Sequence, residues 1–277
     1  MLFIINPISG KGKKRKIADK LTAKGYKVVF TEFAGHAEQI ARQASEKVVV
    51  AVGGDGTVNE VARGLLGTDK SLGIIPCGSG DGLALHLGLS RNPDKALKVI
   101  EQGNCVRMDV AKVNERVFLS VCGVGFDAQV SARFAMSGKR GLANYIRQGL
   151  KTWMDYTPQK YTVEIDGMQM ETEALFITVG NSDQWGNRAK IAPHADCCDG
   201  VLDITIVKRF GVLSMPGMAY RLMTGRLDRS PLVHCCKCKH IRIVRDMEGP
   251  AHADGDWFTA PDVLDIVILP SALKVLV

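Results

Sequence analysis

Residues 48–62, Val-Val-Val-Ala-Val-Gly-Gly-Asp-Gly-Thr-Val-Asn-Glu-Val-Ala, constrain the fold of this chain more than any other stretch. The run of β-branched and small apolar residues from Val48 to Val52 predicts a buried strand. It breaks at Gly53, Gly54, Asp55 and Gly56, after which Val58, Val61, Ala62 and Leu65 fall near helical spacing. Glycines there let the backbone turn tightly and bring its N–H groups close to a ligand. The helix N-terminus that follows adds the positive end of a dipole, suited to phosphate. Asp55 is unexpected in that setting. A carboxylate beside bound phosphates is repelled unless a cation such as Mg²⁺ lies between them, or unless it handles a proton.

The rest of the first ~110 residues repeats this strand–helix rhythm. Strands are expected at 2–6, 26–31, 47–52 and 72–76, with helices after each and another after Asn92-Pro93. From Val106 the pattern changes to short alternating strands separated by turn residues, among them 106–113, 116–121, 161–166, 174–180, 201–207, 240–244 and 263–269. The expected architecture is an α/β N-terminal domain with a parallel sheet, residues 1–115, and an all-β sandwich-like C-terminal domain, residues 116–277, whose last strand is free to return to the first domain. One helix, roughly 139–155, interrupts the β region, with Leu142, Ile146, Leu150, Trp153 and Met154 on one face. The simpler reading packs that face on the sheet; the alternative has it line an acyl-chain cleft.

Charge and composition narrow the partners. The net charge of +7 fits either solvated basic faces or attraction to a polyanion such as a nucleotide or an anionic lipid surface. With 6% aromatic residues and no basic–aromatic interleaving, nucleic acid is not expected. The opening apolar run meets Asn6-Pro7 at once, and no run approaches the ~18 residues of a membrane span. A cytoplasmic protein in peripheral contact with a membrane is expected. The eight cysteines read as reduced thiols. The cluster His234, Cys236, Cys238 and His240 shares one face if extended, but its ends would lie roughly 20 Å apart, too far for one zinc.

Three loops carry the chemistry, each placed after a predicted strand. The first, Asn6-Pro7-Ile8-Ser9-Gly10-Lys11, lacks the P-loop spacing but offers an Asn, a Ser, glycine N–H groups and a mobile cation. The second continues the Gly53–Gly56 turn through Thr57, Asn59 and Glu60. The third is Pro76-Cys77-Gly78-Ser79-Gly80-Asp81-Gly82. Loops of this kind at the carboxyl ends of parallel strands converge on one sheet edge, as in a nucleotide site. Far downstream, Asp254-Gly255-Asp256 reads by itself as a hairpin turn.

In this order the motifs resemble the diacylglycerol kinase catalytic-domain family, which includes soluble bacterial lipid kinases and the sphingosine and ceramide kinases. The resemblance rests on Asn-Pro-x-Ser-Gly at 6–10, Gly-Gly-Asp-Gly-Thr-x-Asn-Glu at 53–60, Gly-Ser-Gly at 78–80, Gly-Phe-Asp-Ala at 125–128, the 193–203 segment and the late Asp-Gly-Asp turn, and it spans nearly the whole chain. It implies a phosphofructokinase- or NAD kinase-like nucleotide domain, a β-sandwich lipid domain, ATP as phosphoryl donor and Mg²⁺. By position it implies that Asn6, Pro7, Ser9, Gly10, Lys11, Thr31, Gly53, Gly54, Asp55, Gly56, Thr57, Asn59, Glu60, Gly78, Ser79 and Gly80 face the nucleotide. Asp256 is implied as proton acceptor, with Asp254 and Asp55 as rivals. Asp109 is implied to support the catalytic metal. Asp199, with backbone carbonyls near Asp196 and Val201, is implied as a structural Mg²⁺ loop.

Two departures stand out. The late motif ends in Asp256, one methylene shorter than the family's Glu, and the third loop carries its acid at Asp81 with Gly82 where many bacterial members have a second acid. The second departure resembles sphingosine kinases. The resemblance therefore implies phosphorylation of a lipid hydroxyl at a membrane surface, diacylglycerol first, with a sphingoid base as the alternative. An NAD kinase-like enzyme or an inactive binding regulator are lesser alternatives, and a homodimer is left open.

Overall fold

The computed structural model describes residues 1–8, 14–138 and 142–277, and these divide into two compact units. Unit one comprises Met1–Asp109 and Pro270–Val277; unit two is Val110–Leu269.

Unit one is built from β1 (Leu2–Ile5), α1 (Lys14–Ala23), β2 (Lys27–Phe30), α2 (His36–Gln43), β3 (Val48–Gly53), α3 (Asp55–Leu65), β4 (Ser71–Pro76), α4 (Gly82–His86) and α5 (Pro93–Gln102). Its strands pair in parallel in the order β2-β1-β3-β4, and Lys274 and Val275 add a further parallel neighbour opposite Ser71 and Leu72. β3 is apolar along its length because helices cover both of its faces. Phe3, Ile5, Val50, Val52, Leu97 and Leu276 share one core, each such side chain contributing about 1.5–3 kcal/mol by its burial. Helix boundaries follow local chemistry. For α5, the Asn92 side chain accepts from the Asp94 and Lys95 N–H groups, Pro93 fills the first turn, and Gly103 closes the end at φ 78°.

Unit two takes up the chain within β5 (Cys105–Val113) and continues through β6 (Arg116–Phe118), β7 (Val121–Gly125), α6 (Phe126–Met136), α7 (Leu142–Asp155), β8 (Gln159–Ile165), β9 (Met168–Ala174), β10 (Phe176–Gly180), β11 (Leu202–Val207), α8 (Met215–Thr224), β12 (Val233–Cys238), β13 (His240–Val244), β14 (Gly249–Ala253), β15 (Asp256–Ala260) and the first part of β16 (Val263–Leu276). One antiparallel sheet runs β12-β11-β10-β7-β14-β15. The other pairs β16, β13, β8 and β9 in turn, with β5 beside β16 and β6 beside β5. Val124, Ile177 and Ile204 from the first sheet pack with Val163, Ile241 and Leu264 from the second, the signature of a sandwich core.

The expected fold class, a parallel α/β domain plus a sandwich-like β domain, is what forms. Three details differ. α6 and α8 also interrupt the β region, where one helix was expected. The His234–His240 run is not one strand. It breaks at Lys239, and its halves enter different sheets, which removes the shared face. All eight cysteines are free thiols. Third, the apolar face of α7 is only partly packed. Trp153 meets Phe126 edge-on at 5.7 Å, while Ile146 and Leu150 are 53% and 57% exposed.

Candidate active site

In unit one the loops after β1, β3 and β4 are tied to one another. Asn6 follows β1 directly; its Nδ2 donates to Thr57 Oγ1 on α3 at 3.2 Å, and its Oδ1 accepts the Ile8 N–H at 2.9 Å. Ser9, Gly10 and Lys11 lie outside the described residues. The cation that the structure does place here is Lys14, at the first turn of α1. It is buried, and its Nζ donates to the Asn6 carbonyl.

Gly54 and Gly78 explain why the second and third loops need glycine. A Cβ on Gly78 would lie 2.6 Å from Gly54 Cα and 2.7 Å from Asp81 Oδ1, so the two backbones approach closer than any side chain permits. Asp55 locks the contact. Its Oδ2 accepts the Asp81 N–H at 2.8 Å and its Oδ1 the Gly82 N–H at 2.7 Å. Asp81 is buried at φ 49°, accepting the Gly78 N–H at 2.8 Å and Arg91 Nε at 3.0 Å. Arg91 also donates to the Gly80 carbonyl at 2.7 Å and the Ser79 carbonyl at 3.4 Å. The acid at 81 is thus consumed within its own loop, and the residue without a side chain at 82 contributes its N–H to Asp55.

Other residues singled out in the sequence take different stations. Glu60 turns away along α3, and its carboxylate accepts the Gly35 and Ala37 N–H groups at 2.9 and 3.1 Å, capping α2. Thr31 is buried just beyond β2, its N–H bonded to the Ile5 carbonyl at 2.9 Å. Asn59 is buried on α3. Asp109 is 1% exposed and its Oδ1 accepts the Ser271 N–H at 2.7 Å.

Burial dominates the electrostatics around Lys14, pulling its ammonium down to about 8 against the smaller pull of Cys77 and Asp81. Burial likewise raises the Asp81 carboxyl, opposed by the Gly78 N–H and Arg91. The Lys14 shift fixes a sign. Below about pH 8 folded and unfolded chains both hold the proton; between about 8 and 10.5 the unfolded chain holds more, so Lys14 makes stability rise with pH over that window. Urea titrations of wild type and Lys14→Met across it are expected to differ by roughly 1–3 kcal/mol in that rise. Parallel curves would show that Lys14 is not buried as an ammonium.

In unit two, β14 and β15 join through Asp254 at φ 51° and Gly255 at φ 86°, a tight turn of two left-handed residues. The Asp254 carboxylate accepts the N–H groups of Leu119, Ser120 and Val121 at 2.8, 2.8 and 3.1 Å, so it holds the hairpin onto the start of β7. Asp256 opens β15 and is exposed. Behind the hairpin, His252 Nε2 and Thr178 Oγ1 donate to Asp127 Oδ2 at 3.1 and 2.9 Å, all three buried.

Beside this cluster lies an apolar cavity of about 300 Å³, walled by Phe126, Val130, Leu150, Trp153, Met218 and Leu222, with the Asp127 carboxylate also in its wall. Burial pushes the Tyr145 hydroxyl there up to about 12. α7 therefore serves both readings of its apolar face, since Trp153 packs while Ile146 and Leu150 line a cleft.

Lys14 and Arg91 in unit one, and His252 and Asp127 in unit two, are members of these clusters that the sequence left unassigned. Lys14 sits in a basic run where no position looks distinct. Arg91 and His252 act through partners 10 and 125 positions away. Asp127 alone carried a signal, as the acid of Gly-Phe-Asp-Ala.

Residues 193–201 do not fit the Mg²⁺ loop that the resemblance implies. Lys237 Nζ lies 2.8 Å from Asp199 Oδ2, the position such an ion would take. Asp55 fits a metal ligand by its chemistry, since a carboxylate beside the glycine loops is the hard oxygen donor that Mg²⁺ takes.

Residues 1–113 match the family model described as the diacylglycerol kinase catalytic domain, and residues 120–277 match the YegS C-terminal NAD kinase beta sandwich-like domain. A Salmonella newport (strain SL254) protein described as "Probable lipid kinase YegS" is 31% identical over 241 residues, covering 84% of this chain and 79% of that one. A diacylglycerol kinase from Staphylococcus carnosus (strain TM300) is 27% identical over 268 residues, 92% of this chain and 88% of its own. Among solved structures, a Bacillus anthracis (strain Sterne) protein provisionally assigned as a diacylglycerol kinase superposes with a TM-score of 0.81 at 26% identity, covering 99% of this chain and 96% of that one. An α/β unit with interlocked glycine loops, a sandwich with an apolar cavity and these matches lead to one conclusion: the chain belongs to the diacylglycerol kinase catalytic-domain family of lipid kinases, with a YegS-type C-terminal domain.

Proposed function

We propose that this protein is an ATP-dependent lipid kinase that phosphorylates diacylglycerol to phosphatidic acid. The carrying observation is the 300 Å³ apolar cavity in unit two, sized for part of an acyl chain, in a chain whose other unit bears the glycine loops. In this reading the lipid hydroxyl oxygen forms a bond to the γ-phosphorus of ATP, the bond from that phosphorus to the β–γ bridging oxygen breaks, and ADP leaves. Asp256 accepts the hydroxyl proton. Backbone N–H groups of the Gly54 and Gly78 loops, with Thr57 and Lys14, hold and neutralise the phosphates. Asp55 would hold Mg²⁺, with Asp109 supporting it, and the ion would supply charge neutralisation on the transferred group. The Gly-Ser-Gly-Asp departure loses its weight for a sphingoid base, since Asp81 is spent on Gly78 and Arg91.

The deciding assay offers diacylglycerol, a sphingoid base, ceramide and phosphatidylglycerol separately in mixed micelles, with labelled ATP and with or without Mg²⁺. Mg²⁺-dependent label in diacylglycerol is expected. Label only in another lipid would move the substrate, and label in none would remove the lipid kinase reading.

The lipid is taken from a membrane surface by peripheral contact. No helix among the described residues is long and apolar enough to cross a membrane. Next in sequence to the cavity residues Trp153, Phe210 and Met215, however, Met154, Val212 and Leu213 are 81%, 66% and 98% exposed, with Lys151, Lys208 and Arg209 near them in sequence. Such a mixture suits an anionic bilayer. Leu213→Glu is expected to lower partitioning onto phosphatidylglycerol vesicles about tenfold or more, with the melting temperature unchanged. Undiminished flotation would place the membrane contact elsewhere.

A further inference from the structure

Residues 193–201 lead into β11, and this segment concentrates negative charge. Asp199 and Asp203 lie four positions apart, and Asp196 just ahead. Asp203 and Lys237 are direct cross-strand neighbours on β11 and β12, so their side chains share a face of the sheet. Lys237 Nζ stands 2.8 Å from Asp199 Oδ2, 2.9 Å from Asp203 Oδ2 and 3.5 Å from the His194 carbonyl. An ammonium has three N–H donors, and three acceptors surround this one. The remaining oxygen of Asp199 accepts the Val201 N–H at 3.1 Å, and Asp196 Oδ1 accepts the Cys198 N–H at 3.0 Å, so the turn is closed by its own backbone.

A divalent ion bound to Asp199 Oδ2 at ~2.0–2.6 Å would sit against that ammonium, and two cations in contact repel each other. Of the other donors nearby, the thiols of Cys197 and Cys198 are soft ligands that do not select Mg²⁺, which leaves Asp196 as the hard side-chain donor beside them. We propose that Lys237 is the resident cation of this loop, a built-in ammonium that joins Asp199, Asp203 and the His194 carbonyl in place of a structural Mg²⁺. On the kinase reading proposed above, Mg²⁺ is then needed only with the nucleotide.

The test is thermal melting of the full chain without nucleotide or lipid, in EDTA and in excess MgCl₂, so that its outcome does not depend on the kinase reading. Wild type is expected to melt at the same temperature in both. Lys237→Gln is expected to melt lower by ~2–6 °C in EDTA, and Lys237→Arg to recover most of that loss. Partial recovery of Lys237→Gln by Mg²⁺ would show the ion entering the space the ammonium leaves, and would support the assignment. A wild-type midpoint raised by Mg²⁺, with the rise abolished in Asp199→Asn, would overturn it. So would a Lys237→Gln variant that melts like wild type in EDTA.

Discussion

Asp256→Asn will lower turnover about 10²–10⁴-fold while leaving ATP affinity unchanged, the result expected when a proton acceptor is removed from a hydroxyl nucleophile. Asparagine keeps the shape and exposure of the side chain at the start of β15, so the hairpin survives. The family's longer acid supplies the control. Asp256→Glu adds one methylene and is expected to stay within about tenfold of wild type, because an exposed side chain can adjust its reach. Asp254→Asn should behave differently. Its carboxylate accepts three N–H groups from the start of β7, so its loss lowers the melting temperature first and activity as a consequence. Labelled-phosphate transfer to diacylglycerol, read beside calorimetric ATP binding, separates these roles. Wild-type turnover in Asp256→Asn would remove it from the mechanism.

The second large effect is expected at Asp55. In Asp55→Asn one oxygen still accepts an N–H, but the new amide NH₂ faces the other donor, of Asp81 or Gly82. Leaving that N–H unsatisfied costs about 1–3 kcal/mol. The same change removes the negative charge proposed to organise Mg²⁺ and the phosphates, with an expected ~10²–10³-fold loss of turnover. Gly78→Ala distinguishes the two contributions. It forces the loops apart sterically while leaving the Asp55 charge in place. If Asp55→Asn melts low but turns over normally, Asp55 is a clamp between loops and nothing more.

Which parts of this were legible in the sequence follows from the range of the interactions. The β3–glycine–α3 passage could be read directly because strand, turn and helix signals are local, and the phosphate-suited loops lie beside their strands. The parallel-to-antiparallel change was visible for the same reason. Lys14 was not distinguishable from Lys11 or Lys13, since burial rather than residue type sets it apart. The role of Glu60 was misleading for a related reason. It stands in a phosphate-loop motif, yet Gly35 and Ala37, more than 20 positions earlier, claim its oxygens. β9 and β15 were missed because edge strands with exposed residues carry little apolar signal, and β14 because it opens on Gly249-Pro250 and is short on large apolar residues. α8 was hidden by Pro216 and Gly217 in its first turn. The cross-strand meeting of Asp203 and Lys237 depends on register, which no local pattern specifies.

The strand that closes unit one has a consequence for biosynthesis. Lys274 and Val275 pair with β4, Leu276 joins the core, and the Ser271 N–H caps Asp109, yet all of Val110–Leu269 is translated first. On the ribosome the nascent α/β unit must wait with an open sheet edge beside β4 while the entire sandwich emerges, and it cannot finish folding until residues 270–277 clear the exit tunnel. Refolding from denaturant imposes no such order. Co-translational and in vitro folding of this chain should therefore diverge in their exposure to edge-strand aggregation, with the nascent form the more dependent on chaperones.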